Sequence, residues 1–139
     1  MRKVFLLFIA TLFLFSCSSE KKKPVPEEAR LAQEAFRIAE KVKDAYLVKN
    51  NSLIQRLTTR NGYLRIISSV KDFDVAILSF TPKWVDIEGN ELYLYIDWTG
   101  TWQVGTKSYT EKGLAAFKFR LNPLKLDDIL RNNPFSFPK

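Results

Sequence analysis

Glu91-Leu92-Tyr93-Leu94-Tyr95-Ile96-Asp97-Trp98-Thr99-Gly100-Thr101-Trp102-Gln103 is the stretch on which the fold turns. Leu92, Leu94, Ile96, Trp98 and Trp102 fall on one side of a two-residue repeat, with Tyr93, Tyr95, Asp97, Thr99 and Thr101 on the other. That alternation predicts a long strand with one face in a core. Gly100 falls on the apolar side, where it bends the strand or admits another side chain. Upstream, Asp74 to Phe80 is a dense apolar run, Pro82 interrupts it, and Lys83 to Ile87 resumes extended before a turn at Glu88-Gly89-Asn90. Downstream, a loop at Val104 to Lys107 leads to Ser108 to Glu111. After Lys112-Gly113, the residues Ala115, Phe117, Phe119 and Leu121 alternate against Lys118 and Arg120. Leu124 and Leu126 begin a last extended piece, and Ile129, Pro134, Phe135 and Phe137 form an apolar tail.

Before Asp72 the period is helical. From Glu27 to about Lys49, Leu31, Ala35, Ile38, Val42 and Ala45 recur in steps of four and three, with Ala32, Phe36, Ala39 and Tyr46 widening the stripe. One broad face is therefore buried. Glu27 and Glu28 suit the positive end of the helix dipole and Lys49 the negative end, while Pro26 is a permitted starter. Asn50-Asn51-Ser52 supplies a break and a cap, and Leu53, Ile54 and Leu57 give a second helix an apolar face before Asn61-Gly62 ends it. Tyr63 to Val70 reads as a third short helix with Leu64, Ile67 and Val70 or Ile66 inward, although its β-branched residues also suit a strand. Helices followed by an antiparallel sheet make an α+β domain.

The first residues carry an address. Arg2 and Lys3 precede an apolar run from Val4 to Phe15, and Leu14-Phe15-Ser16-Cys17 closes it on the only cysteine. The run is too short to cross about 30 Å of hydrocarbon, which takes about 20 apolar residues. The junction resembles the lipobox of bacterial lipoproteins, although Phe15 is bulkier than the pattern has at that position. The resemblance implies that residues 1–16 are a cleaved signal peptide and that Cys17 is acylated, anchoring the chain to a membrane of the cell envelope. The serines after Cys17, in place of aspartate, imply the outer membrane, facing the periplasm. Residues 17–26, with Lys21, Lys22 and Lys23 between serines and prolines, read as a tether, and residues 27–139 as one domain. A lone cysteine leaves no internal disulfide.

The formal charge of +7 is largely a property of that leader and tether. From Glu27 onward, 17 basic residues face 14 acidic ones, a balance that disfavours nucleic acid as a partner. The absence of histidine removes the usual neutral-pH base and the usual transition-metal ligand, so neither a metal nor a cofactor is expected. The glycines are scattered, with no phosphate-loop spacing.

Three helices, Trp84-Val85-Asp86 opening a hairpin, Asp97 to Trp102 on the next strand, Gly113 to Arg120 on the one after, and an Asn-Pro-Phe close at Asn133 to Phe135 together resemble the nuclear-transport-factor-2-like superfamily. Within it the chain is similar to small envelope lipoproteins with SnoaL-like domains. The resemblance implies a cone in which a curved sheet wraps the first helix, with a mouth that can hold a ligand. Trp84, Trp98, Trp102, Phe117, Phe119, Phe36 and Tyr46 are the residues that would line it, unless these rings simply fill the core. A carboxylate base of the kind some members use would fall to Asp86 or Asp97 beside Tyr93 or Tyr95, but Asp97 lies on the polar side of its strand. Catalysis is not expected. Two roles follow: a tethered binding module for a small apolar or amphipathic ligand, or a scaffold lipoprotein whose exposed sheet face meets a second copy or an envelope partner.

Overall fold

The protein is described by a computed structural model over residues 26–139; the leader, Cys17 and nearly all of the tether lie outside the described residues. Helix α1 is Glu27–Leu47, α2 Asn51–Leu57 and α3 Arg60–Ile67; strands β1 (Val75–Glu88), β2 (Glu91–Val104), β3 (Lys107–Arg120) and β4 (Lys125–Arg131) follow. The sheet is a four-stranded antiparallel meander in the order β1-β2-β3-β4. This is the α+β arrangement expected, and its core lies between α1 and the inner face of the sheet.

Helix α1 buries the predicted stripe at Ala35, Ala39, Val42, Ala45 and Tyr46. These residues join the inward side chains of the sheet in one buried cluster. Lys49 does not serve the last turn. Its backbone is left-handed, at φ 59°, which stops the helix, and its Nζ donates to the Phe73 carbonyl at 2.7 Å. Asn50 caps α2 as expected, its Oδ1 accepting from the Leu53 amide at 3.1 Å.

Asn61-Gly62 does not end the second helix; both residues sit in the first turn of α3. Thr58 leaves α2 extended to form a parallel bridge with Leu126, and the Thr59 amide donates to the Leu126 carbonyl at 2.9 Å. Thr59 Oγ1 then caps α3 by accepting from the Gly62 amide at 3.1 Å. The early start rotates the inward face, so Gly62 and Ile66 are buried while Leu64 and Val70 are exposed.

Pro82 does not interrupt its strand. β1 is continuous because it is a sheet edge, where a missing N–H costs no ladder bond, and the ladder slips by one residue between Pro82 and Trp84. Lys83 is the extra residue. β3 likewise runs unbroken from Lys107, joined to β2 by a tight turn in which Gly105 has φ 59° and donates its amide to Asp74 Oδ2 at 2.6 Å. Gly100 admits another side chain, its own strand-mate: a Cβ there would stand 2.6 Å from Trp102 Cζ3.

Candidate binding site

Five of the seven predicted ring positions pack the interior. Trp98, Trp102, Phe117 and Phe119 alternate inward on β2 and β3 and are completely shielded, and Tyr46 meets them from α1. The indole donors are satisfied: Trp98 Nε1 donates to the Asn132 carbonyl at 2.9 Å and Trp102 Nε1 to the Tyr46 hydroxyl at 2.8 Å. Burial pushes the Tyr46 hydroxyl up to about 12, with the Trp102 bond acting against it, so this group stays a neutral donor at ordinary pH. The remaining space is taken by the apolar tail, whose Phe135 and Phe137 are buried against these rings.

Trp84 and Phe36 are elsewhere. The slip at Lys83 exchanges the faces of β1, so Phe80 faces inward opposite Trp98 whereas Trp84 lies opposite Tyr95 on the outer side. Trp84 stacks on Tyr95 at 4.3 Å and 16° and remains 47% exposed. At the same edge a groove of about 320 Å³ opens between the first turns of α1 and the bulged strand, lined by Ala32, Gln33, Phe36, Pro82, Lys83, Trp84, Val85 and Leu94. The predicted set is thus divided between a filled interior and an open apolar groove. Pro82 inside an edge strand is the sequence signal for the bulge that builds this groove; Lys83, Val85 and Leu94 carry no separate mark.

The groove is apolar with a polar rim. Lys83 Nζ lies 3.3 Å from Asp97 Oδ2, and both are about half exposed, so the ammonium is available to an anionic group at little electrostatic cost. Asp86 and Asp97, opposite Tyr93 and Thr81 in the ladder, sit on the outer face, away from the interior. Tyr93 donates to Glu91 Oε2 at 2.8 Å, and the Lys118 ammonium, 2.9 Å from Oε1, holds the Glu91 carboxyl below the usual range, helped by the Tyr93 bond. Asp127 is the one buried carboxylate among the described residues, and nothing in the sequence marked it. Its Oδ1 accepts from Thr59 Oγ1 at 2.7 Å and lies 3.3 Å from Arg120 Nε, so it clips α3 to the sheet. Among the described residues no three acidic, cysteine or histidine side chains converge as metal ligands would.

Comparison with solved structures yields a superposition on a nuclear transport factor 2 (NTF2-like) superfamily protein from Salmonella enterica subsp. enterica serovar Typhimurium str. LT2, with a TM-score of 0.60 over 77% of this chain and 93% of that one. The fold is nuclear-transport-factor-2-like. At 12% identity the likeness carries the nuclear-transport-factor-2-like architecture and no site residue. No protein-family model matches the sequence, and neither does any curated protein.

Proposed function

We propose that this chain is a membrane-tethered, non-catalytic binding module of the bacterial cell envelope that holds a small apolar or amphipathic molecule in the groove between α1 and the bulged edge of β1. The observation that carries the reading is the open groove of about 320 Å³, in which Phe36 and the half-exposed Trp84 offer ring surface left partly uncovered by the described residues. Such a volume lies at the small end of ligand pockets, and an apolar trough with a few polar groups at its rim is their usual composition. Gln33 and Lys83 supply that rim, which suits a ligand with an anionic or hydrogen-bonding head. The groove also lies on the first turns of α1, the end at which the tether from Cys17 joins the domain.

Titration of the purified domain with brominated dodecanoic acid tests this directly. Bromine quenches tryptophan on contact; Trp84 is reachable in the groove, whereas Trp98 and Trp102 are enclosed. The expected result is saturable quenching of one tryptophan in three, weakened about tenfold in Phe36→Ala, since removing a partly covered ring gives up about 1.5 kcal/mol of burial. Quenching that does not saturate, or that is unchanged by Phe36→Ala, refutes the site.

One observation favours the scaffold role instead. Val75, Ile77, Trp84 and Leu130 are exposed, in β1 and β4. Concentration-dependent association of the domain, abolished by Ile77→Lys and indifferent to dodecanoate, would favour that role over ligand binding.

A further inference from the structure

We infer that residues 132–138 act as an intramolecular ligand, a strap whose release opens an aromatic cage for a flat apolar molecule bearing a hydrogen-bond acceptor. The cage is built from rigid elements: Tyr46 on α1, Phe80 on β1, Trp98 and Trp102 on β2, and Phe117 on β3. The strap fills it with two rings. Phe135 lies 4.9 Å from Tyr46 and 6.2 Å from Phe117, and Phe137 lies 5.2 Å from Trp98 and 5.7 Å from Trp102.

The polar contacts of the strap are those of a docked molecule. Its own turn is closed internally: Asn133 Oδ1 accepts from the Phe135 amide at 2.9 Å, and the Asn133 carbonyl accepts from Ser136 Oγ at 2.8 Å. Asn132 marks the last regular tie to the sheet, its amide donating to the Leu114 carbonyl at 3.2 Å. The Asn132 carbonyl accepts from Trp98 Nε1 at 2.9 Å; beyond Asn132, among the described residues, the strap reaches the rest of the chain through two long hydrogen bonds, Asn133 Nδ2 to Ser69 Oγ at 3.3 Å and the Tyr46 hydroxyl to the Phe137 carbonyl at 3.5 Å. Of the cage's three polar donors, Trp102 Nε1 is satisfied within the cage by the Tyr46 hydroxyl, while Trp98 Nε1 and the Tyr46 hydroxyl are answered by strap carbonyls. An incoming molecule must replace those acceptors as well as the rings, which defines its class. Arg131, left-handed at φ 64°, is the joint at which β4 ends and the strap turns inward.

This interior site is separate from the groove at Trp84 and is tested separately. The full chain carrying Phe135→Ala and Phe137→Ala is titrated with 2-acetylnaphthalene, an aromatic ketone, alongside the unaltered chain and Trp84→Ala. At least tenfold tighter binding by the double variant is expected, with Trp84→Ala unchanged from the parent. Equal affinity in a folded double variant overturns the inference. The unaltered protein gives a second reading that does not depend on the variant folding. Hydrogen exchange of the Trp98 indole N–H, relative to its intrinsic rate, reports opening at Asn132; protection at least 100-fold below that of the β2 amides is expected, and protection equal to theirs shows the strap to be ordinary core.

Discussion

Replacing Gly62 with alanine decides between two opposed effects. In a helix alanine is favoured over glycine by about 1 kcal/mol, so propensity alone predicts a stabilised protein. The structure predicts the reverse. A Cβ at Gly62 would collide with the Leu126 carbonyl oxygen and stand 3.0 Å from the carbonyl carbon, backbone atoms that cannot rotate aside. Relief requires α3 to retreat from β4 by about 1 Å, to reach an ordinary van der Waals separation. That movement stretches three less exposed bonds among those that seat the helix: Thr59 amide to Leu126 carbonyl at 2.9 Å, Thr59 Oγ1 to Asp127 Oδ1 at 2.7 Å, and Asn61 Nδ2 to Asp127 carbonyl at 2.7 Å. At about 1 kcal/mol each, their loss outweighs the helical gain and leaves a net cost of about 2 kcal/mol. For a domain of this length that lowers the melting temperature by about 8 °C. Urea unfolding followed by circular dichroism reads the difference, with a lower midpoint at an unchanged slope. A Gly62→Ala protein as stable as the parent, or more stable, would show that α3 is not held against β4 in this way.

Tyr46 supplies a pH dependence. Its hydroxyl titrates near 12 in the folded chain against 10.0 ordinarily, so between those values the unfolded chain releases a proton that the native one keeps, and stability falls as pH rises through this window. The slope is about 1.4 kcal/mol per pH unit. Tyr46→Phe should remove that slope in denaturation curves at pH 9 to 11.5, while costing about 1–3 kcal/mol at neutral pH by leaving the Trp102 indole donor without its partner. Asp127→Ala should cost about 2–3 kcal/mol in chemical denaturation, since it strips a buried acceptor from Thr59 and two cations, whereas Arg120→Ala, at an exposed end of the same cluster, should cost under about 1 kcal/mol. Cys17→Ser is expected to move the protein from washed membranes to the soluble fraction in cell fractionation; retention in membranes would refute anchoring through that residue.

The pattern of β2 was legible because period two and ring size agree along its whole length, and every inward residue expected there is inward. The helical stripe of α1 was legible for the same reason. Boundaries failed where a tertiary contact decided them: Asn61-Gly62 reads locally as a stop, but Leu126, 64 residues further on, sets the start of α3. The site was legible only in part. Of the seven residues expected to line a cone, Trp84 alone lies on β1, and no local pattern states that Lys83 is an extra residue that exchanges the faces of that strand, so Trp84 emerges on the far side from Trp98. That the rings fill the core was one of the two readings open in the sequence, and it holds for five of them; that Phe135 and Phe137 complete the filling was not legible, because their apolar pattern states that the tail is buried without stating against what.

The bulge at Lys83 has a consequence for how copies of the protein behave together. β4 is bridged to Thr58 at Leu126, and among the described residues β1 pairs with β2 alone, so its outer margin is open there. An uninterrupted margin of 14 residues would invite strand-on-strand growth into fibres. Pro82 removes a donor at the midpoint and the extra residue throws the two halves out of phase, leaving no frame in which a neighbour's strand can pair along the whole edge. The same irregularity that opens a groove therefore keeps crowded molecules apart.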